Sequence, residues 1–280
     1  MSGLPQTPMH SLDQAVHLTP TGEGEYLGAT SDLYWNLIGP FGGATAATLL
    51  QAVLLHPKRL GAPVSLTVNF AGPVARGAFT VRARAVRTNR STQHWYVEQL
   101  QANAQGQFDV QTTATVVTGL RRGDFNVVEN TLPQAPAPED LPLTEIPKGP
   151  SWFACYELRA VKGGPPRLWN GSDAGDSLNQ MWLRDAPSRA LDYVSLTASA
   201  DFFYPRIWRR RATQVPMGTI TMTTYFHADD AALAAAGDGY LFAQARGQAF
   251  FKGFIDHSAQ LWSRQGALLA TSHQIFYFKE

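Results

Sequence analysis

The stretch WNLIGPFGGATAATLLQA, residues 35–52, decides how the rest of the chain is read. From Ala44 onward it is small and apolar, the composition of a helix buried in a core rather than laid on a surface. Pro40 and the Gly42-Gly43 pair stand at its mouth, so the helix begins with almost no side chain. Two physical reasons suit such a start. One is a close packing contact. The other is a negative group that must come near backbone N–H groups at a helix N-terminus, where the dipole favours it.

Working outward, this helix runs to LLHP at 54–57. Four strand-like runs follow, at 64–70, 78–88, 92–102 and 108–117. The run AFTVRARAVRT alternates apolar and basic residues, as a half-buried strand does. The second half repeats the plan. A helical stretch at 187–205 precedes strand-like runs at 218–228, 239–251, 253–263 and 267–278. Polar turns fall at matching places, NAQGQ at 103–107 and SRQGA at 263–267, and each helical stretch is closed by a proline, Pro57 or Pro205. Further strands fit before each helix, near residues 24–36 and 152–161. Between the halves, 132–150 is Pro-rich and aperiodic, a semi-rigid connector. The expected organisation is a repeat over residues 1–122, a linker over 123–149 and a second repeat over 150–280. Each repeat is a helix covered by a curled antiparallel sheet, an α+β architecture in which the halves share one continuous sheet.

Bulk properties remove several function classes. The 280 residues carry a formal net charge of +1, which gives no general attraction to nucleic acid. No apolar run reaches the ~18 residues of a membrane span. The N-terminus lacks the basic start and apolar core of a secretory signal. The single cysteine, Cys155, precludes an intrachain disulfide and reads as a packed thiol in an apolar run. A cytoplasmic protein is expected, and the triplets at Asn89 and Asn170 are then chance glycosylation matches. The seven histidines are scattered, with no metal-ligand spacing. No phosphate-binding loop, dinucleotide fingerprint or G-x-S-x-G elbow occurs. Asp256 and His257 are strand neighbours pointing to opposite faces, a poor dyad.

The motifs GPFGGATAATLLQA, SLTVNFAGPVARGAF and ALLATSHQ resemble the acyl-CoA thioesterase type II family, a double hot-dog group. The resemblance covers most of the chain. It implies two hot-dog repeats, each a long helix wrapped by an antiparallel sheet, and an acyl-CoA substrate of fatty acid metabolism. It implies no cofactor or metal, no membrane or nucleic-acid partner, and a homo-oligomer, a dimer or larger. It also implies a catalytic set of an Asp after the second helix, a Thr on the next strand and a Gln on the last strand. The matching positions are Asp201 in SASADFFYP, Thr219 in MGTITMTTYFH and Gln274 in ATSHQIF. Thr221 is the alternative to Thr219, two residues on and on the same face of a regular strand.

The residues support a composite site independently. Aligning the repeats on Pro57 with Pro205, VNF with TYF, and Gly106 with Gly266 sets Asp201, Thr219 and Gln274 against Val53, Pro63 and Ala114. One half therefore has the bare helix start and the other the polar trio. Asp201 near a helix C-terminus, partly buried, would be a weaker acid and a better base for water. Thr219 and Gln274 can hold water and carboxylate but cannot act as bases near neutral pH. Gly42 and Gly43 would admit a thioester oxygen to the helix N-terminus. Two rivals stand beside this reading. One is a non-catalytic acyl-CoA or lipid-binding module. The other is a hot-dog hydratase, which needs a His–Asp pair not found on either helix. Arg209, Arg210 and Arg211 read as a solvated loop rather than a contact for coenzyme A phosphates.

Overall fold

The computed structural model describes residues 9–123, 125–145 and 149–279. The first residues of the N-terminus and positions 124 and 146–148 of the connector lie outside the described residues, so the readings made for them are not addressed by the structure.

The first half contains α1 (Ser11–Ala15), β1 (Thr19–Gly22), β2 (Glu25–Ala29), α2 (Gly42–Leu54), β3 (Ala62–Phe70), β4 (Ala78–Thr88), β5 (Thr92–Ala102) and β6 (Phe108–Gly119). The second contains β7 (Tyr156–Lys162), β8 (Asn179–Asp185), α3 (Tyr193–Ser199), α4 (Ile207–Arg210), β9 (Met217–Phe226), α5 (Asp230–Ala236), β10 (Leu241–Arg246), β11 (Phe250–Phe251), β12 (Phe254–Trp262) and β13 (Leu268–Phe278). Among the described residues the strands form one antiparallel sheet in the order β1-β2-β4-β5-β6-β3-β9-β13-β12-β10-β8-β7, with β11 beside β12. This is the double hot-dog: β2-β4-β5-β6-β3 wraps α2, and β8-β10-β12-β13-β9 wraps α3.

The halves join at β3 and β9, where Thr67 pairs with Thr223 and their hydroxyls lie 3.0 Å apart. These are the two threonines that the VNF–TYF alignment equates, so the seam marks a local two-fold relation between the repeats. The tight turns sit as expected. Gly106 (φ 75°) and Gly266 (φ 92°) occupy the left-handed region that glycine tolerates without a Cβ clash.

α2 is buried almost all round, with Ala46, Ala47, Leu49, Leu50, Ala52 and Val53 fully inaccessible. Its alanines let α3 approach closely, and the two helices share one core with both sheet faces. None of the helices is long and apolar enough to cross a membrane among the described residues.

Two local readings need correction, and one further helix is present. The helix expected over 187–205 is confined to Tyr193–Ser199. Asp192, in extended geometry, caps it by accepting from Ser195 N–H, which fixes its start; the segment after Asp201 extends toward Pro205. The strand expected over 239–251 breaks after Arg246, because Asp256 Oδ1 accepts from the N–H groups of both Gln248 and Ala249 and draws them off the ladder. The Ala-rich segment between β9 and β10 forms α5, capped by Asp229 and ended by Gly237. Residues 130–141 of the connector lie against the outside of the second repeat. There Trp262 Nε1 donates to Asn130 O and Trp182 Nε1 to Pro136 O.

Candidate active site

The C-terminal end of α3 abuts the N-terminus of α2, and that meeting creates the site. A Cβ on Gly43 would stand 2.5 Å from Ala198 O, and one on Gly42 would stand 2.7 Å from Asp201 Oδ2. The bare helix mouth thus has a double use. Gly43 permits helix-to-helix contact, and Gly42 leaves room for a carboxylate. Phe41, the N-cap of α2, offers no side-chain acceptor, so the first-turn N–H groups are open to an outside partner. Asp201 faces them from beside Gly42, and the pull of Gly43 N–H lowers its pKa. The negative group at this helix start is a residue of the chain itself, delivered from the other repeat.

Gln274 Nε2 donates to Asp201 Oδ1 at 2.9 Å. Gln274 is 1% exposed, and its Oε1 has no partner. Around them lies an aromatic shell. Phe41 stacks on Trp152 at 4.0 Å, and Phe202 meets the edges of Trp152 and Tyr156 at 5.3 and 5.0 Å. Burial in these surroundings raises the Asp201 carboxyl to about 7, against the lowering pull of the Gln274 and Gly43 hydrogen bonds. Burial is the main cause, and the dipole of α2 works in the opposite sense to that expected from α3.

Thr219 is placed differently from a simple alternation. β9 is bulged between Thr219 and Thr221, so Thr219 stands opposite Phe276 while Thr221 stands opposite Ile275. Phe276 shares the buried row of Gln274, and Ile275 is exposed. The bulge therefore separates the two threonines onto opposite faces. Thr219 is on the inner face, and Thr221 donates to Val68 O at 3.0 Å. No hydrogen bond joins Thr219 to Asp201 or Gln274. The structure brings Asp201, Gln274, Gly42 and Gly43 together and leaves Thr219 unbonded to them on the same face.

His257 escapes the sequence reading. It lies directly opposite Gln274 on β12, fully buried, with both ring nitrogens unpartnered. Phe276 stacks on it and Phe203 meets its edge. Burial pushes its pKa well below the usual histidine range, so it is neutral. In the repeat alignment, His257 and Gln274 replace Val97 and Ala114, which are themselves cross-strand partners. The inward phase of Ile255, Ala259 and Leu261 was the available signal. The neighbour that matters is Gln274 across the ladder, not Asp256 beside it on the strand.

The arginine run lies on and just past α4 rather than in a solvated loop. Arg209 pairs with Asp176 and Arg210 with Asp173. Cys155 is buried and its thiol is pushed up by burial, which fits a packed and unreactive group.

Comparison with known proteins follows the same lines. The model of the acyl-CoA thioesterase N-terminal domain matches residues 31–119, and that of the C-terminal domain matches residues 130–278. A hot-dog protein of unknown function from Alicyclobacillus acidocaldarius is 38% identical over 98% of this chain and 99% of its own, with a TM-score of 0.90. The tesB protein of Mycobacterium avium subspecies paratuberculosis (16% identity, 96% and 98% coverage, TM-score 0.76) shares the fold. So does an acyl-CoA thioesterase II of Mycobacterium marinum (16%, 96% and 98%, TM-score 0.72). No curated protein matches the chain.

Proposed function

The chain belongs to the acyl-CoA thioesterase family, and from that premise we propose that it hydrolyses an acyl-CoA by direct attack of water, with Asp201 as the general base. The observation that carries the reading is the Asp201–Gln274 pair. It is a buried carboxyl with a pKa of about 7, oriented by an amide at 2.9 Å and seated on a helix N-terminus. A base poised near neutrality takes a proton effectively and can return it.

In this mechanism Asp201 removes one proton from water as its oxygen attacks the thioester carbonyl carbon. Gln274 Oε1, a buried acceptor without a partner, takes the water's other O–H and fixes its direction. The N-terminal end of α2, made approachable by Gly42 and Gly43, offers positive potential to the developing oxyanion. Collapse of the intermediate breaks the C–S bond, and Asp201 returns its proton to the leaving thiolate. The products are a carboxylic acid and free coenzyme A thiol. Thr219, on the inner face, supports the water from the β9 side.

Release of free thiol from a panel of acyl-CoAs tests this reading. Turnover by the wild type is expected, with Thr219→Val lowering kcat about tenfold and Thr221→Val leaving it near wild type. Binding without turnover would place the chain among acyl-CoA carriers. Equal loss in both variants would remove Thr219 from its role.

The glycines separate catalysis from stability. Gly43→Ala drives a Cβ into backbone and a packed ring. It is expected to cost about 2 kcal/mol of stability despite the better helix propensity of alanine. Gly42→Ala meets chiefly the tip of Asp201. It is expected to lower kcat/KM about tenfold with Tm close to wild type. Thermal denaturation beside thiol-release kinetics reads both, and a wild-type rate in Gly42→Ala would show that the carboxylate position does not matter.

A further inference from the structure

Three glutamines, Gln93, Gln99 and Gln101, lie on the inner face of β5, each buried. The outer two are fully engaged. Gln93 Oε1 accepts from Leu60 N–H at 2.7 Å while its Nε2 donates to Lys58 O and Thr88 Oγ1. Gln101 Oε1 accepts from Ala75 N–H at 2.8 Å while its Nε2 donates to Ala75 O and Ala78 O. Both pin loops to the sheet. Gln99 differs, because its Oε1 is buried at a residue only 2% exposed and has no partner.

Its neighbour is in the same condition. Thr112 stands directly opposite Gln99 on β6, fully buried, with its hydroxyl unpartnered. At the other end of β6, Thr118 accepts from Trp95 Nε1. The second repeat has Ala259 and Ser272 as the corresponding cross-strand pair, and Ser272 is bonded to Ala200 O. The vacant pair of polar atoms therefore belongs to the first repeat alone. Buried polar groups are seldom left unpaired unless something else satisfies them.

Gln99 also lines a small cavity between the first two turns of α2, at Ala44, Thr45 and Thr48, and the sheet at Phe79. The two threonine hydroxyls donate to Phe41 O and Ala44 O, so they do not serve Gln99. Strand register relates the Gln99–Thr112 pair to the candidate catalytic carboxylate. Gln99, Thr112 and Phe70 form one transverse row across β5, β6 and β3. The Phe70 ring is 3.4 Å from the point where a Gly42 side chain would begin, and Asp201 Oδ2 is 2.7 Å from that same point. Two interstrand steps, ~10 Å, separate β5 from β3.

We propose that this cavity receives the far end of the acyl group and that the acyl group carries a hydroxyl there. The hydroxyl donates to Gln99 Oε1 and accepts from the Thr112 hydroxyl. Both vacant atoms are then satisfied by one group, which a ketone cannot do because the Gln99 oxygen requires a donor. A site built to bond a substrate hydroxyl rejects the analogue that lacks it, since binding that analogue leaves the site's own buried atoms unpaired. The assignment rests on the thioesterase reading of Asp201 for its route to the reaction, while the polar pair stands on its own geometry.

Initial rates with substrates that differ by one distal hydroxyl test the assignment: ω-hydroxyoctanoyl-CoA against octanoyl-CoA, and para-hydroxyphenylacetyl-CoA against phenylacetyl-CoA. The hydroxylated member of at least one pair is expected to have a kcat/KM at least about tenfold higher. Gln99→Leu is expected to bring that ratio to one or below, and Thr112→Val to reduce it. Equal rates in the wild type, or a preference that survives Gln99→Leu, would overturn the proposal. If no ester is hydrolysed, the thioesterase reading fails, and calorimetric binding of the same pairs decides the pocket separately. Tighter binding of the hydroxylated ester, erased by Gln99→Leu, would sustain it, and equal binding would overturn it.

Discussion

Asp201→Asn is expected to abolish thioester hydrolysis, by about a thousandfold or more, and at the same time to make the protein more heat-stable above neutral pH. Asparagine keeps the shape and the oxygen that accepts from Gln274, so the geometry survives while the base is lost. The stability effect follows from the raised pKa. The folded-state value is about 7, well above that of the same carboxyl in an unfolded chain. The contribution to stability is therefore fully present below pH ~4 and is lost as pH rises through about 7. Wild type carries the whole burden of the buried anion at pH 8, and Asp201→Asn carries none of it. The difference in Tm is expected to vanish near pH 4 and to be largest at pH 8, on the order of a few kcal/mol in stability. Asp185, likewise raised to about 7 by burial, leaves a residual slope of the same sign in the variant. The wild-type kcat/KM should rise through the same window, because only the ionised Asp201 accepts a proton. A variant less stable than wild type at pH 8 would mean that Gly43 N–H and the α2 dipole hold the anion favourably rather than against its burial cost.

The parts of the fold visible in the sequence were those set by local chemistry. The alternation in β4, the glycine turns at 106 and 266 and the uncharged helix α2 each depend on a few adjacent residues, and the repeat follows from their order. The extent of α3 was less visible, because the apolar composition of 187–205 suits a helix while Asp192 and the approach to Pro205 confine it. Asp201 and Gln274 stood out as polar residues where the other repeat has Val53 and Ala114. What they do to α2 did not stand out, since the Gly43–Asp201 contact joins residues from opposite repeats. The bulge at Ile220 is a property of ladder register against β13, and two threonines spaced two apart carry no sign of it. His257 became visible only when β12 was set beside β13, because its significant neighbour is Gln274 and not Asp256.

Gln274→Leu is expected to lower the maximal rate about a hundredfold and to move the rising limb of the pH–rate profile to higher pH. The side chain has two working ends. Nε2 donates to Asp201 Oδ1 and holds its pKa down, so removing the donor leaves burial less opposed and raises the carboxyl further. Oε1 faces no protein partner and is assigned to the attacking water. The two losses separate in one experiment. Above the new limb Asp201 is fully ionised, and the remaining deficit in kcat reports the Oε1 contact with water. The displacement of the limb reports the Nε2 contact with the carboxylate. A variant whose limb moves while its plateau stays at the wild-type rate would make Gln274 a residue that positions Asp201 only. A lowered plateau with an unmoved limb would assign Gln274 to the water and leave Gly43 N–H as the group that sets the ionisation of Asp201.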